Sequence, residues 1–307
     1  MSIENAIVVI NKTRLEQLTE RFNTKAQAKF YIEHSGGDFR DYEVEHSIFH
    51  ESLEVLTKSI RKYLKLKVLE RKFMPNFIFS EKDAVVVLGQ DGLVANTAKY
   101  VGELPILAVN PDINRYDGIL LPFNVDSFER GLIDLLENKA KSKRVTMAEA
   151  KTNDGQRLLA FNDLFIGPSS HISARYKITH GQMSENQSSS GLLVSTGAGS
   201  TGWLSSVINM ANGVQTVFNS QNKNINLRLK WDENKLVFIV REPFKSKYSQ
   251  VSISAGLIHQ NEKLIIESYM PAHGIIFSDG IEADFLHFNS GTSVEISVAQ
   301  QKANIIQ

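Results

Sequence analysis

The fold is decided by one short stretch, Asp83-Ala84-Val85-Val86-Val87-Leu88-Gly89-Gln90-Asp91-Gly92-Leu93. Its apolar, β-branched first half is typical of a strand buried on both faces of a parallel sheet. Gly89 and Gly92 then turn the chain sharply and expose backbone N–H groups, with Asp91 between them. Because ligands bind beyond the carboxyl ends of strands in open α/β sheets, Asp91 could accept a proton from a hydroxyl beside bound phosphates. The alternative is a strand-to-helix turn in which Asp91 only satisfies backbone donors.

Strands and helices alternate on both sides of this stretch, as expected of a parallel sheet built from βαβ units. The pattern predicts strands at 6–10, 67–70 and 105–109, and helices at 13–34, from 52 onward, at 94–101 and at 125–138. The polar run 139–144 ends this alternation. We therefore predict an α/β nucleotide-binding domain over residues 1–142 and a second domain over residues 143–307.

Strand patterns dominate the second domain, which is predicted to be β-rich. Asn153-Asp154-Gly155 is a strong hairpin turn between strands at 146–152 and 157–166. The polar stretch 184–190 is predicted to be a mobile loop, and one helix is predicted at 200–211. Further strands are predicted at 172–179, 191–196, 226–231, 235–241, 250–257, 263–269, 274–278 and 293–299.

Composition excludes several classes of function. The chain has 307 residues, 42% of them hydrophobic and 22% charged, which suits two globular domains. Its formal net charge of zero argues against a general nucleic-acid or anionic-membrane binder. The absence of cysteine excludes disulfides, thiolate metal sites and cysteine nucleophiles. No run reaches the length of a membrane span and no signal peptide is evident, so a cytoplasmic location is expected.

A second glycine-rich segment, Gly197-Ala198-Gly199-Ser200-Thr201-Gly202, follows a predicted strand and leads into a predicted helix. It matches the dinucleotide-binding pattern G-x-G-x-x-G. That pattern also requires an acidic residue about 20 positions further on. Residues 220–223 contain none, so a Rossmann hydride-transfer site is disfavoured. Small residues at a helix N-terminus could still hold a phosphate, a ribose or a base edge, or could be a simple helix cap.

Three further features are less specific. There is no G-x-x-x-x-G-K-[ST] segment, which excludes a P-loop. His46 and His50 could share one helix face as paired metal ligands, but no acidic third ligand is evident at metal-site spacing, so exposed helix histidines are favoured. Asn162 and Asp163 end a strand-like run and could bind sugar hydroxyls or a base edge; the alternative is a strand-end turn.

In their order and spacing these motifs resemble the NAD kinase family, most closely the branch that includes the mitochondrial-type NAD kinases of animals. The family's Gly-Gly-Asp-Gly turn is matched by residues 89–92, its Asn-Glu pair by Asn162-Asp163, and its glycine-rich Thr/Ser segment by residues 195–203. The mitochondrial-type branch is also similar to this chain at Val240-Arg241-Glu242-Pro243, at Ser278-Asp279-Gly280 and at Lys12-Thr13-Arg14.

The resemblance implies a two-domain NAD kinase-like fold with the site in the cleft between an α/β domain and a β-rich domain. It implies transfer of the ATP γ-phosphoryl, with Mg²⁺, to the 2′-hydroxyl of the adenosine ribose of NAD, giving NADP. By position, Asp91 is the general base and no residue is assigned as a metal ligand. The resemblance also implies a homo-oligomer, a dimer or a tetramer. The remaining implied contacts are phosphate or nucleotide binding by Gly89, Gln90 and Gly92, and NAD binding by Asn162, Asp163, Thr201 and Ser206.

Three positions depart from the family pattern: Gln90 replaces a glycine, Leu93 replaces a threonine, and Asp163 replaces a glutamate. The first two changes affect the phosphate-facing turn, whereas the NAD-binding positions are mostly kept. Two alternatives to an NAD kinase therefore stay open. One is a catalytically silent NAD- or nucleotide-binding protein of the same fold, and the other is a kinase of another hydroxyl substrate, a sugar or a lipid.

Overall fold

The computed structural model describes residues 3–218 and 224–307, and the chain divides into two units. The first unit runs up to Lys143 and also includes Asn304–Gln307 at the carboxyl end. The second unit is Arg144–Ala303. The two units have different architectures, one with a parallel sheet and the other built from antiparallel strands.

The first unit contains a parallel sheet with the strand order β2–β1–β3–β4–β5. Asn304 and Ile305, near the end of the chain, also pair in parallel with β4. A 3₁₀ helix at Arg71–Asn76 follows β2. The elements of this unit are β1 (Asn5–Ile10), α1 (Arg14–Phe22), α2 (Lys25–His34), α3 (Phe39–Ile60), β2 (Lys65–Glu70), β3 (Asp83–Leu88), α4 (Asp91–Ala98), β4 (Pro105–Asn110), β5 (Phe123–Asn124) and α5 (Val125–Leu136).

Strand β3 is the centre of this sheet, which explains its uniformly apolar sequence. It pairs with β1 on one side and with β4 on the other, and all its residues are buried. The side chains of Val86 and Leu107 belong to a core that also contains Leu56 of α3 and Phe128 of α5. The predicted buried strand and the α/β class of this unit are therefore confirmed.

Two helix boundaries differ from the sequence-based expectation. The single helix predicted over 13–34 is broken into α1 and α2, because Asn23 adopts a left-handed conformation with φ 61°. Thr24 then caps α2 by accepting a hydrogen bond from the N–H of Gln27. Helix α3 begins at Phe39, well before the predicted start at Ser52. Asp38 caps this helix, because its carboxylate accepts a hydrogen bond from the N–H of Arg40.

The second unit is a sandwich of β-sheets. One sheet has the order β10–β9–β14–β17, with β6 pairing with β17 and β7, and the other has the order β13–β12–β11–β8–β15–β16. A continuous core joins inward side chains of both, among them Tyr176, Val194, Phe238 and Ile266. The elements are β6 (Ser142–Thr152), β7 (Arg157–Ala160), β8 (Asp163–Pro168), β9 (Ala174–His180), β10 (Met183–Ser189), β11 (Leu192–Ser195), α6 (Trp203–Phe218), β12 (Lys235–Val240), β13 (Ala255–His259), β14 (Leu264–Ser268), β15 (Gly274–Ser278), β16 (Ile281–His287) and β17 (Ser293–Ile306).

The mobile loop predicted at 184–190 is wrong, because this stretch forms β10 and pairs along its length with β9. Its buried positions are the polar residues Glu185, Gln187 and Ser189, so it lacks the hydrophobic alternation that marks a strand. Their partners are internal: the amide of Gln187 donates to the carbonyl of Ile253 at 3.0 Å, and the Tyr176 hydroxyl lies 2.9 Å from Gln187 Oε1.

The strand predicted at 226–231 is also wrong, since these residues form no regular secondary structure. Their alternation has another cause: Leu229 and Leu227 pack on a small apolar cluster that contains Leu204 and Ile208 of α6. Among the described residues, no helix is both long enough and apolar enough to cross a membrane.

Candidate active site

Asp91 occupies the first position of α4, directly beyond the carboxyl end of the buried strand β3. Its Oδ1 accepts a hydrogen bond of 2.7 Å from the N–H of Leu120. Within the described part of the chain, Oδ2 receives no hydrogen bond, and the residue is half-buried. The carboxylate is therefore oriented by one oxygen and can accept a proton with the other.

The segment that supplies the Leu120 donor is held by Asn110, at the end of β4. The side-chain amide of Asn110 donates to the carbonyl of Tyr116 at 3.0 Å, and its Oδ1 accepts from the N–H of Asp112 at 3.0 Å. Gly118 then turns with φ +65°, a conformation that favours glycine. The role of Asn110 in holding this segment could not be predicted from the sequence. Its one sequence signal is the position of an asparagine directly after an apolar strand.

An ion-pair network lies on the same segment. Arg115 binds Asp41 with two nitrogen–oxygen distances of 3.1 and 2.6 Å, and Arg14 reaches the same carboxylate at 2.8 Å. These two guanidinium groups hold the pKa of Asp41 well below its usual range. Asp41 on α3 is thereby joined to the segment that orients Asp91, which ties that segment to the helical layer.

The structure assigns different roles to the residues around Asp91. The N–H of Gly89 donates to the carbonyl of Val109 at 3.2 Å, so it is engaged in the sheet. Gln90 is exposed in an extended conformation with φ −96° and ψ 166°, which any residue adopts without strain. Gly92 is exposed, and a side chain added there would meet open space. The first turn of α4 thus provides N–H groups that have no acceptor within the helix and are available to a ligand. The N–H of Gly89 is not available, because it is bonded to Val109.

Leu93, the position where the family has a threonine, is buried on α4. Its Cδ2 would lie 2.9 Å from a Cβ at position 89, so a side chain there would require the end of the Leu93 side chain to move. This side chain therefore packs inside the turn and does not contribute a hydroxyl to a ligand.

The second unit contains a pair of neighbouring acidic residues: Asp163 at the start of β8, and Asp279 directly after β15. Asp279 adopts φ 54°, and its carboxylate accepts hydrogen bonds from the backbone N–H groups of Phe161, Asn162 and Asp163 at 3.0, 2.6 and 3.3 Å. Three backbone donors stabilise the ionised form of Asp279. The Asn162-Asp163 turn is thereby anchored to Ser278-Asp279-Gly280, a turn that the sequence indicated only by resemblance.

Asp163 itself is a buried acid with a perturbed pKa. Burial, with the negative charge of Asp279 next to it, raises the pKa of Asp163 from 3.8 to about 7. Desolvation disfavours the charged form, and a neighbouring like charge acts in the same direction. Near neutral pH the group can therefore exist either as a hydrogen-bond donor or as an acceptor.

The glycine-rich segment 197–202 lies against the Asn162-Asp163 turn, but its backbone N–H groups are largely used within the chain. Its residues 198–201 form a 3₁₀ helix before α6. The N–H of Gly199 donates to the hydroxyl of Thr196, and the N–H of Gly202 donates to the carbonyl of Gly199. The N–H groups of Gly199 and Gly202 are therefore not free to bind a phosphate.

Thr201 and Ser206, both in the second unit, are exposed. Ser206 lines a cavity of about 780 Å³ between α6 and the β12–β13 strands, and Trp203 and Arg241 also line it. The Arg241 guanidinium lies 5.3 Å from the centre of the Trp203 ring. Thr201 is not among the lining residues of this cavity, so the structure does not bring these two predicted NAD-binding residues into one cavity.

Comparisons with known proteins address the class of protein. No protein-family model matches the chain. An alignment of 383 residues shows 23% identity to mitochondrial NAD kinase 2 of Xenopus tropicalis and covers 96% of this chain and 88% of that protein. The fold is similar to that of yeast NADH kinase complexed with NADH, with a TM-score of 0.58, 13% identity, and coverage of 100% of this chain and 84% of that one. It is also similar to an NAD kinase from Archaeoglobus fulgidus in complex with ATP, with a TM-score of 0.55, 14% identity, and coverage of 99% and 94%.

The two structural neighbours define the fold class: a unit with a parallel sheet followed by a β-rich unit, as in NAD kinases. The similarity to an animal mitochondrial NAD kinase over nearly the whole chain agrees with the motif pattern. The predicted resemblance to the NAD kinase family and the predicted NAD kinase-like fold are both confirmed.

Proposed function

We propose that this chain is an ATP-dependent NAD kinase that transfers the γ-phosphoryl group to the 2′-hydroxyl of the adenosine ribose of NAD and releases NADP. The observation that carries the proposal is the geometry of Asp91. Its carboxylate follows a buried parallel strand, has Oδ1 fixed by the Leu120 N–H at 2.7 Å, and keeps Oδ2 available. Such a group can orient an attacking hydroxyl and accept its proton.

The chemistry requires little more from the protein than positioning and charge neutralisation. In phosphoryl transfer the attacking and leaving oxygens lie roughly in line, and Mg²⁺ arrives with the ATP substrate to neutralise the phosphate charge. The N-terminus of α4 favours negative charge, and the N–H groups of Gln90 and Gly92 lie beside it. Gly89 contributes by allowing close packing of Leu93, since its own N–H is already bonded to Val109.

NAD binding is assigned to the second unit. Asn162 and Asp163 match the family's Asn-Glu pair, and their backbone is fixed by the Asp279 carboxylate. A buried acid with a pKa of about 7 suits a ribose, because hydroxyls both donate and accept hydrogen bonds. Thr201 and Ser206 are proposed as adenine contacts from the resemblance alone. The neighbours complexed with NADH and with ATP support both nucleotides as ligands.

One observation favours a second candidate, a nucleotide-binding protein of this fold without kinase activity. Leu93 is buried and apolar where the family has a threonine, so the turn lacks one hydroxyl. In this case the NAD contacts at Asn162 and Asp163 would be kept while phosphoryl transfer is lost. Gln90 gives no comparable support, because its extended backbone is compatible with any residue.

The test is NADP formation by the purified protein supplied with NAD, ATP and Mg²⁺, measured with an NADP-specific dehydrogenase. We expect turnover by the parent protein and its loss in Asp91→Asn, with NAD affinity by calorimetry changed by no more than a few-fold. A matched control is Asp126→Asn, because Asp126 is exposed in the first turn of α5, which also follows a strand of the same sheet. Gln90→Gly should change turnover little.

The outcomes separate the candidates. Normal turnover in Asp91→Asn would refute the assignment of the base. NAD binding without product in the parent protein would establish the silent nucleotide-binding protein. Absence of both would mean that the ligand is not NAD. The predicted homo-oligomer can be tested in the same preparation by sedimentation equilibrium.

A further inference from the structure

Three side chains that bind transition metals meet on the helical layer of the first unit. His46 and His50 lie on α3, and Glu16 lies on α1. One ligand atom from each lies within 4.8 Å of the others. His50 Nε2 is 3.1 Å from Glu16 Oε1, and the two imidazole rings have centroids 4.3 Å apart. In the sequence, Glu16 lies 30 positions before His46, so only the return of the chain along α3 reveals the third member.

We propose that Glu16, His46 and His50 form a binding site for a divalent transition metal of the Zn²⁺ class, separate from the proposed kinase chemistry. Histidines four positions apart share one helix face, and a carboxylate completes a three-ligand set that zinc sites use. Ligands of a tetrahedral zinc ion at about 2.0–2.1 Å stand roughly 3.3 Å apart. The 3.1 Å between His50 and Glu16 already matches that spacing, and the metal would take the place of their shared hydrogen.

Thr13 orients two of the three ligands. Its backbone N–H donates to Glu16 Oε2 at 2.7 Å as part of the capping box of α1, which leaves Oε1 directed at His50. Its hydroxyl donates to the same Oε2 at 3.2 Å and lies 2.9 Å from His46 Nδ1. When the hydroxyl donates to Glu16, His46 donates from Nδ1 and its Nε2 is the unprotonated nitrogen that can bind a metal. Such partners are what hold metal ligands in the coordinating tautomer and orientation.

The surroundings favour a cation with affinity for nitrogen. His46 and His50 line a depression of about 440 Å³ whose other lining residues include Glu43, Glu51 and Glu54. Of these, Glu43 is paired with Lys25 at 2.7 Å. Two imidazoles select Zn²⁺, Co²⁺ or Ni²⁺ over Mg²⁺, which prefers oxygen ligands. Three protein ligands leave a fourth position for water, and the bound ion would link α1 to α3.

The test is titration of the full-length, tag-free chain with Zn²⁺ by calorimetry and with Co²⁺ by visible absorption. We expect one Zn²⁺ per chain, a tetrahedral Co²⁺ spectrum that Zn²⁺ abolishes, and no competition by Mg²⁺. His50→Ala should lower the Zn²⁺ affinity by more than about 100-fold, beyond the effect of losing an orienting partner. The His50 side chain is 43% exposed, so this variant should fold. His34→Ala is the matched control, because His34 is an exposed histidine on α2 outside the cluster.

A second variant separates metal binding from folding. Glu16→Gln keeps a side-chain oxygen for the Thr13 N–H but removes the anionic ligand, so it should lower Zn²⁺ affinity while the melting temperature without metal stays unchanged. The proposal is overturned if Zn²⁺ binds with the same affinity in His50→Ala and Glu16→Gln, if the parent protein binds none, or if Co²⁺ gives an octahedral spectrum.

Discussion

The substitution Asp163→Asn tests the most perturbed carboxyl group of the candidate site. Asn has nearly the same shape as Asp but cannot ionise. In the folded protein the pKa of Asp163 is raised from 3.8 to about 7 by burial and by the charge of Asp279. A carboxyl group with a raised pKa binds its proton more tightly in the folded state than in the unfolded state. It therefore stabilises the folded protein at low pH, and this contribution is lost as the pH rises from about 4 to about 7.

The magnitude follows from the size of the shift. About three pKa units correspond to roughly 4 kcal/mol for the full titration, at 1.36 kcal/mol per unit. Between pH 5 and pH 8 the wild-type free energy of unfolding should fall by roughly 3 kcal/mol more than that of Asp163→Asn, which lacks this titration. The comparison of the two proteins removes the effect of all other titrating groups.

The assay is urea unfolding at pH 5 and pH 8, monitored by tryptophan fluorescence. Both tryptophans of the chain, Trp203 and Trp231, lie in the same unit as Asp163, so the signal follows the relevant transition. Asp154→Asn is the control, because hydrogen bonds from Thr152 and Gln156 lower the pKa of Asp154 at an exposed turn. Equal pH dependence of wild type and Asp163→Asn would refute the reasoning and would mean that Asp163 titrates normally.

Two further substitutions, each with a control variant, test the packing of the two glycine-containing turns. Gly199→Ala should destabilise the protein by about 3 kcal/mol or more in urea unfolding, because the new Cβ would lie 2.1 Å from the carbonyl oxygen of Asn162. Gly213→Ala on α6, where a Cβ meets open space, should instead stabilise it by up to about 1 kcal/mol. Leu93→Thr should cost about 2 kcal/mol, since a buried apolar side chain is replaced by a smaller one with a hydroxyl, while Leu93→Met should cost less. A Leu93→Thr protein as stable as its parent would show that position 93 is not packed as described.

Elements with a simple hydrophobic pattern could be predicted from the sequence, and elements with internal polar partners could not. Strand β3 is buried on both faces, so its unbroken apolar run indicates both its type and its central place. Strand β10 buries Glu185, Gln187 and Ser189, whose partners are Tyr176 on the neighbouring strand β9 and Ile253, more than 60 positions away in the sequence. No local pattern can show that such polar residues are satisfied, so the segment has the composition of a loop.

The same distinction applies to the candidate site. Asp91 could be found because a carboxylate between two glycines after a buried strand is a local pattern. Its orientation depends on the N–H of Leu120, and the pKa of Asp163 depends on Asp279. A backbone donor has no sequence signature, and Asp279 lies 116 positions beyond Asp163. These contributions follow only from the tertiary structure, or from a family resemblance.

The glycine-rich segment shows why two motifs distant in the sequence occur together in this chain. A Cβ at Gly197 would lie 1.9 Å from the carbonyl oxygen of Lys230, and one at Gly199 would lie 2.1 Å from that of Asn162. The hydroxyl of Thr196 donates to the carbonyl of Phe161 at 2.6 Å, so the segment is bonded to the same turn from the other side. Both glycines are therefore required by backbone packing, although neither has positive φ. The first two glycines of the G-x-G-x-x-G pattern are thus explained by close packing against the backbone of Lys230 and of Asn162. Because Gly199 packs against the Asn162-Asp163 turn, the combination of the two motifs carries more information about the fold than either motif alone.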